Sequence, residues 1–194
     1  MRPCPAILIL AAGASSRMRG RDKLLEEIDG TPLILRAVRA ACAVSAEVVV
    51  ALPKGDRTRS AWLTDSPARL LPVESRAMSA SIAAGAAVVA ADALMIHLCD
   101  MPEIDQAALQ TVASAWQAHH ADLMQATTPD GRPGHPTVFH RTHFPSLHGL
   151  TGDRGAREIL KAGAVAPCVL PGLAAVTDLD TPEDWAAWRA ENSR

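Results

Sequence analysis

Aromatic residues are scarce in this chain: 194 residues hold no tyrosine, two phenylalanines and four tryptophans, while alanine is heavily used. The four cysteines, Cys4, Cys42, Cys99 and Cys168, are scattered. No C-x-x-C pair joins any two of them, which argues against a zinc site or a disulfide framework and leaves reduced thiols in a cytoplasmic protein as the expectation. There is no large excess of one charge. A net charge of −2 argues against nucleic acid or an anionic membrane as a partner. Long apolar runs are missing too. The first, Ala6 to Leu10, is too short to span a bilayer and flows on without a cleavage site, so it reads as a buried strand. The P-loop spacing G-x-x-x-x-G-K-[ST], the dinucleotide fingerprint G-x-G-x-x-G and the nucleophile elbow G-x-S-x-G are all absent.

Present instead are apolar segments that alternate between strand and helix over a length suited to one domain, residues 1–194. Strands are expected at Ala6–Leu10, Glu47–Leu52, Leu70–Val73, Ala93–Leu98, Ala121–Thr127, Pro136–His140 and Val165–Leu170. Helices are expected between them. One opens at Thr31 as N-cap with Pro32 in the first turn and runs to about Ala43. Others cover Ser79–Ala91, Gln106 to about His119 behind an Asp105 cap, Asp153–Ala162 stopped at Gly163, and Pro182 to about Glu191 behind a Thr181 cap. Gly131–Leu150, rich in Gly, Pro and His, reads as a lid or an irregular insertion. The alternation implies a mainly parallel sheet covered on both faces, with ligands bound beyond the carboxyl ends of its strands.

The most informative stretch follows the first strand. Leu10-Ala11-Ala12-Gly13-Ala14-Ser15-Ser16 is a loop of small residues whose N–H groups can face phosphate oxygens. Arg17, Arg21 and Lys23 can supply the positive charge that a polyphosphate needs. An ordinary strand-to-helix turn with a solvated basic face is the competing reading. At the end of another buried strand, Cys99-Asp100-Met101-Pro102 places a carboxylate where it can bind Mg²⁺, which favours carboxylate oxygens and substrate phosphates; a capping Asp is the plainer alternative. The strand positions put the Gly13 loop and Asp100 on one edge of the sheet. Asp178-Leu179-Asp180-Thr181-Pro182 offers two further carboxylates, although Asp180 also sits just ahead of the Thr181 cap. Ser79 and Ser81 are helix N-cap candidates on propensity. His135, His140, His143 and His148 fall close together, but without convergent partners they read as loop or surface histidines.

The ordered string L-A-A-G-x-S-x-R-M followed by D-K-L-L resembles the signature of the MobA-like nucleotidyltransferases, and within them the molybdenum cofactor cytidylyltransferases. Asp-x-Pro at Asp100 and D-x-D-T-P-E-D at Asp178 resemble later segments of that family. So do Gly134-His135-Pro136 and Thr151-Gly152-Asp153-Arg154-Gly155-Ala156-Arg157. The chain departs from the pattern at Arg19, where many relatives carry Gly, and at Ala77. The resemblance implies a Rossmann-like three-layer α/β/α fold with a mostly parallel, mixed sheet of the nucleotide-diphospho-sugar transferase type. It also implies an Mg²⁺-dependent transfer of CMP from CTP to molybdenum-molybdopterin, and possible delivery of the product to a molybdenum hydroxylase. Leu10, Ala11, Ala12, Gly13, Ser79 and Ser81 would then bind the nucleotide, with the Ala11–Gly13 backbone reading the base. Arg17, Lys23 and Asp100 would carry catalysis, Asp100 and Asp180 the metal, and His135, Asp153 and Arg154 the acceptor side. A nucleotidyltransferase for a sugar phosphate or another small phosphate, and a non-catalytic cofactor chaperone, are the alternatives.

Overall fold

In the computed structural model, which describes residues 2–152 and 156–192, a seven-stranded sheet carries the order β5-β4-β1-β6-β8-β7-β9. Strands β1 (Ala6–Leu10), β4 (Val48–Pro53), β5 (Arg69–Val73) and β6 (Ala93–Leu98) pair in parallel, and β7 (Leu123–Thr127) pairs in parallel with β9 (Val165–Val169). Only β8 (Pro133–His140) runs against its neighbours, β6 and β7. The sheet is thus mostly parallel and mixed, as expected.

The uninterrupted apolar character of β1 follows from burial on both faces. Ile7 and Ile9 face a core shared with α1 (Leu33–Val44) and α4 (Gln106–Ala118). Leu8 faces the opposite core, made with α3 (Met78–Val88), α5 (Phe144–His148) and α6 (Arg157–Ala162). Gly85 is what lets α3 lie so close to β1, because a Cβ there would come 2.3 Å from Leu8 Cδ2. No described helix is long and apolar enough to cross a membrane.

Several local expectations are corrected. Thr31 and Pro32 form β3, the second strand of a short hairpin with β2 (Glu27–Ile28), rather than a helix start. Asp29 and Gly30 at its tip both have positive φ, 52° and 70°, the geometry that a two-residue hairpin turn demands. Helix α1 therefore begins at Leu33, with Pro32 as its N-cap. Gly131–Leu150 is neither lid nor irregular insertion: it holds the whole of β8, and the compact α5 that packs on α3. A five-residue helix, α2 (Arg57–Ala61), follows β4 behind an Asp56 cap. The Asp105 and Thr181 caps form as read. Asp105 accepts from the Ala108 amide, while Thr181 and Asp184 exchange side-chain-to-amide bonds at the start of α7 (Pro182–Asn192).

Candidate active site

The site lies beyond the carboxyl ends of β1 and β6, in a cleft of about 280 Å³. Its lining joins Leu10, Ala12, Gly13, Arg17 and Lys23 of the first loop to Asp100 after β6, Asp178 and Asp180 before α7, and Arg76 and Met78 at the start of α3. A backbone bond from the Leu179 amide to the Asp100 carbonyl, 3.0 Å, anchors the Asp178–Asp180 segment against the end of β6. Leu179 also inserts between Met18, Ile28, Leu33 and Trp185, so a small apolar cluster fixes both the loop and the acidic segment from below.

Carboxylate oxygens of Asp100, Asp178 and Asp180 lie within 4.8 Å of one another, the only such group of potential metal ligands among the described residues. Lys23 bridges two of them: its Nζ donates to Asp100 Oδ2 and to Asp180 Oδ1, the latter at 2.6 Å. Arg17 holds the other oxygen of Asp180 at 2.6 Å. These charges set the proton affinities. Burial and the negative charges of Asp180 and Asp100 push Asp178 above the usual carboxylate range. Burial acts in the same direction on Asp180, but Lys23 and Arg17 outweigh it and hold that group low. Lys23 is pulled down by burial and more than restored by its two carboxylates, so its pKa rises.

The donor set suits a hard divalent cation, which takes carboxylate oxygens. Asp100 Oδ1 is moreover buried with no hydrogen-bond partner among the described residues, so one ligand atom of the trio is free to receive a cation. Asp178 belongs to the cluster as fully as Asp180, although it was the less favoured of the two on sequence grounds.

Other expected contacts fall differently. The Ala11 amide donates to Ala51 O (3.0 Å) and the Ala11 carbonyl accepts from Arg59 (2.7 Å). Both backbone groups of Ala11 are thus already paired, whereas Ala12 and Gly13 line the cleft. Ser79 and Ser81 are buried away from the cleft. Ser79 Oγ donates to Gly152 O at 2.5 Å, and α3 starts one residue earlier, at Met78. Neither serine is a cap or a cleft residue; Arg76 and Met78 take the cleft-facing positions of that segment. His135 lies on β8, where its amide donates to Ala175 O at 2.8 Å, and burial lowers its pKa. It is not on the cleft lining. Asp153 and Arg154 lie outside the described residues. Cys99 is buried, which pushes its thiol far up and rules out a nucleophilic role. Arg19, the departure from the family pattern, pairs with Glu183 of α7 at 2.6 Å.

Sequence reasoning missed Arg59 altogether. It is 3 % exposed, and its guanidinium reaches back from α2 to the carbonyls of Ala11 and Gly13 and to both oxygens of Asp22. Its position, third from an Asp56 cap in a five-residue helix, carries no motif.

Known proteins resemble this chain in sequence and in fold. The molybdenum cofactor guanylyltransferase of Pseudomonas paraeruginosa is 36 % identical over 93 % of this chain and 92 % of its own length. A probable molybdenum cofactor guanylyltransferase of Synechococcus elongatus is 29 % identical over 94 % and 96 %. Among solved structures, Rv0371c of Mycobacterium tuberculosis in complex with manganese superposes with a TM-score of 0.79 over 95 % of this chain and 97 % of that one. At 24 % identity it shares the fold. The family model of the MobA-like NTP transferase domain matches residues 7–167. With the nucleotide loop, the acidic trio and the sheet in place, the chain belongs to the MobA-like NTP transferases and is a nucleotidyltransferase.

Proposed function

We propose that this enzyme transfers CMP from CTP to a phosphorylated acceptor of the molybdopterin type, giving a dinucleotide form of the molybdenum cofactor and pyrophosphate. The observation that carries the transfer chemistry is the Lys23 ammonium set between Asp100 and Asp180 in a cleft floored by the small-residue loop. An acceptor phosphate oxygen attacks the α-phosphorus in line, and the bond to the pyrophosphate oxygen breaks. No protein nucleophile is needed, since positioning and charge neutralisation dominate such transfers. The β- and γ-phosphates compete with Asp180 for Lys23 and Arg17, and these cations then stabilise the leaving pyrophosphate. Arg76 lines the same cleft and has no carboxylate partner among the described residues, so it adds charge at the entrance. Asp100, Asp178 and Asp180 would hold a divalent cation, Mg²⁺ in this reading, which when bound neutralises phosphate charge.

The likeness of the ordered loop L-A-A-G-x-S-x-R-M to that of the molybdenum cofactor cytidylyltransferases is what supports CTP. A second reading, GTP as donor, is favoured by the relatives, which are named guanylyltransferases. Delivery of the product to a molybdenum hydroxylase in the cytoplasm is part of the proposal. The test is pyrophosphate release from each of the four NTPs with MgCl₂ or MnCl₂, using molybdopterin species and sugar phosphates as acceptors. CTP with a molybdopterin acceptor is expected to be fastest. A preference for GTP moves the base assignment, and a preference for a sugar phosphate refutes the acceptor. No release with any pair leaves only a cofactor-carrier role.

A further inference from the structure

The loop that bears Arg17 and Lys23 is held from behind by a residue outside the lining of the Asp100 cleft, and we infer that Arg59 is a positioning residue for the nucleotide. The inference rests on the nucleotidyltransferase reading of the cleft. Arg59 Nε and Nη2 grip Asp22 Oδ2 and Oδ1 at 2.7 and 2.9 Å, a two-pronged contact that a guanidinium makes and an ammonium does not. Nη1 donates to Ala11 O at 2.7 Å, and Nη2 also donates to Gly13 O at 2.9 Å. Asp22 in turn accepts from Ser15 Oγ and from the Leu24 amide, both at 3.1 Å, and Ser15 Oγ accepts from the Lys23 amide at 3.2 Å. One buried guanidinium therefore ties the strand end, the middle of the loop and the residue before Lys23 into a closed ring.

Two consequences are chemical. With the Ala11 and Gly13 carbonyls bound from behind, two acceptor dipoles are kept occupied on the side away from the cleft. A phosphate approaching this loop is spared their repulsion. Second, the ring holds a backbone that the sequence does not favour: Ser15, whose hydroxyl belongs to it, has φ of 51°, a region that residues other than glycine seldom enter. Free of Arg59, the loop would relax, and Lys23 and Arg17 would no longer be presented together. Arg59 itself brings no net charge to the nucleotide, because Asp22 neutralises it.

The experiment measures two affinities in Arg59→Lys, Arg59→Gln and Asp22→Asn. One is the Kd of CTP and of GTP by titration calorimetry with MgCl₂. The other is the Kd of Mn²⁺ alone by electron paramagnetic resonance. Arg57→Gln, an exposed neighbour on the same helix, is the control. In folded variants the nucleotide Kd is expected to rise about tenfold or more, in Arg59→Lys as well as Arg59→Gln. Mn²⁺ binding should be retained, because its ligands lie on other segments, and any change should be a tightening, since displaced Lys23 and Arg17 compete less for Asp100 and Asp180. A purely structural Arg59 would lower the melting temperature and the active fraction but leave the nucleotide Kd unchanged. An unchanged nucleotide Kd in the variants that fold overturns the inference, as does failure of all three to fold. If the wild type binds no NTP, it is the nucleotidyltransferase reading that fails.

Discussion

The two sides of the first loop use the same chemistry, a cation against carboxylates, to opposite ends. Behind the loop, Arg59 is buried against Asp22 and the backbone. In front, Lys23 and Arg17 meet Asp100 and Asp180 at the edge of an open cleft, with the Arg17 side chain 67 % exposed. A buried pair has no competitor for its partners and breaks only at the cost of an uncompensated charge. A pair facing a cleft can be exchanged for a ligand of the same sign as either partner. Lys23 is itself only 12 % exposed and Asp22 26 %, so what separates the framework of this site from its working parts is whether a pair faces the loop backbone or the cleft.

The sharpest way to break that contrast is Asp100→Asn. Turnover, measured as pyrophosphate release, should fall by about a thousandfold or more, because a ligand that positions charge on the reacting phosphates is worth several kcal/mol in the transition state. Circular dichroism should show the fold intact. Arg59→Gln should act on the other side of the comparison, lowering stability by about 2–3 kcal/mol in urea titration, since it leaves Asp22 and two carbonyls without their donor. Lys23→Ala should reduce kcat/KM for the nucleotide by about 10- to 100-fold, an effect of one to two charge-assisted hydrogen bonds. An unchanged nucleotide titration would refute its phosphate role.

Acid should distinguish the two sides by direction. Burial raises Asp22, but its bonds and charge interaction with Arg59 outweigh that and hold its folded pKa below the ordinary value. Its contribution to stability is complete above the ordinary carboxylate pKa and is lost as pH falls through the lowered folded value. Asp178 shifts the other way, so on acidification it takes up a proton before the loop framework does. Mn²⁺ affinity should therefore decline at a higher pH than the one at which the protein begins to unfold, measured by metal titration and by melting across a pH series. The smallest effect belongs to Arg19→Ala. Its pair with Glu183 is exposed on both sides, so stability should change by less than about 1 kcal/mol and turnover by less than about twofold.

Much of the frame was legible in the sequence because its strands are buried on both faces and read as short apolar runs. The same alternation placed the Gly13 loop and Asp100 at one sheet edge before any coordinates. Local competition hid the rest. Thr31-Pro32 carries a good helix-start signal, yet Asp29-Gly30 closes a hairpin first and delays the helix to Leu33. Ser79 and Ser81 have capping propensity, but tertiary packing turned them into the core. Asp178 and Asp180 were visible as a pair; their convergence with Asp100 depends on one backbone bond from Leu179, which leaves no mark in composition. Arg59 was invisible for a related reason. Apart from a 3.6 Å pair with its own cap Asp56, its partners are main-chain carbonyls and an aspartate 37 positions away, which produce no spacing rule.

The apolar cluster beneath the loop also has an optical meaning. Trp185 is 1 % exposed, stands edge-on to Trp188 at 6.5 Å, and carries the Arg189 guanidinium 4.8 Å above its ring. Its packing partners include Met18, flanked in sequence by Arg17 and Arg19, and Leu179, flanked by Asp178 and Asp180. An indole is thus wedged under both charged halves of the cleft without touching either, and its emission is a natural gauge of how far they move when the cleft fills.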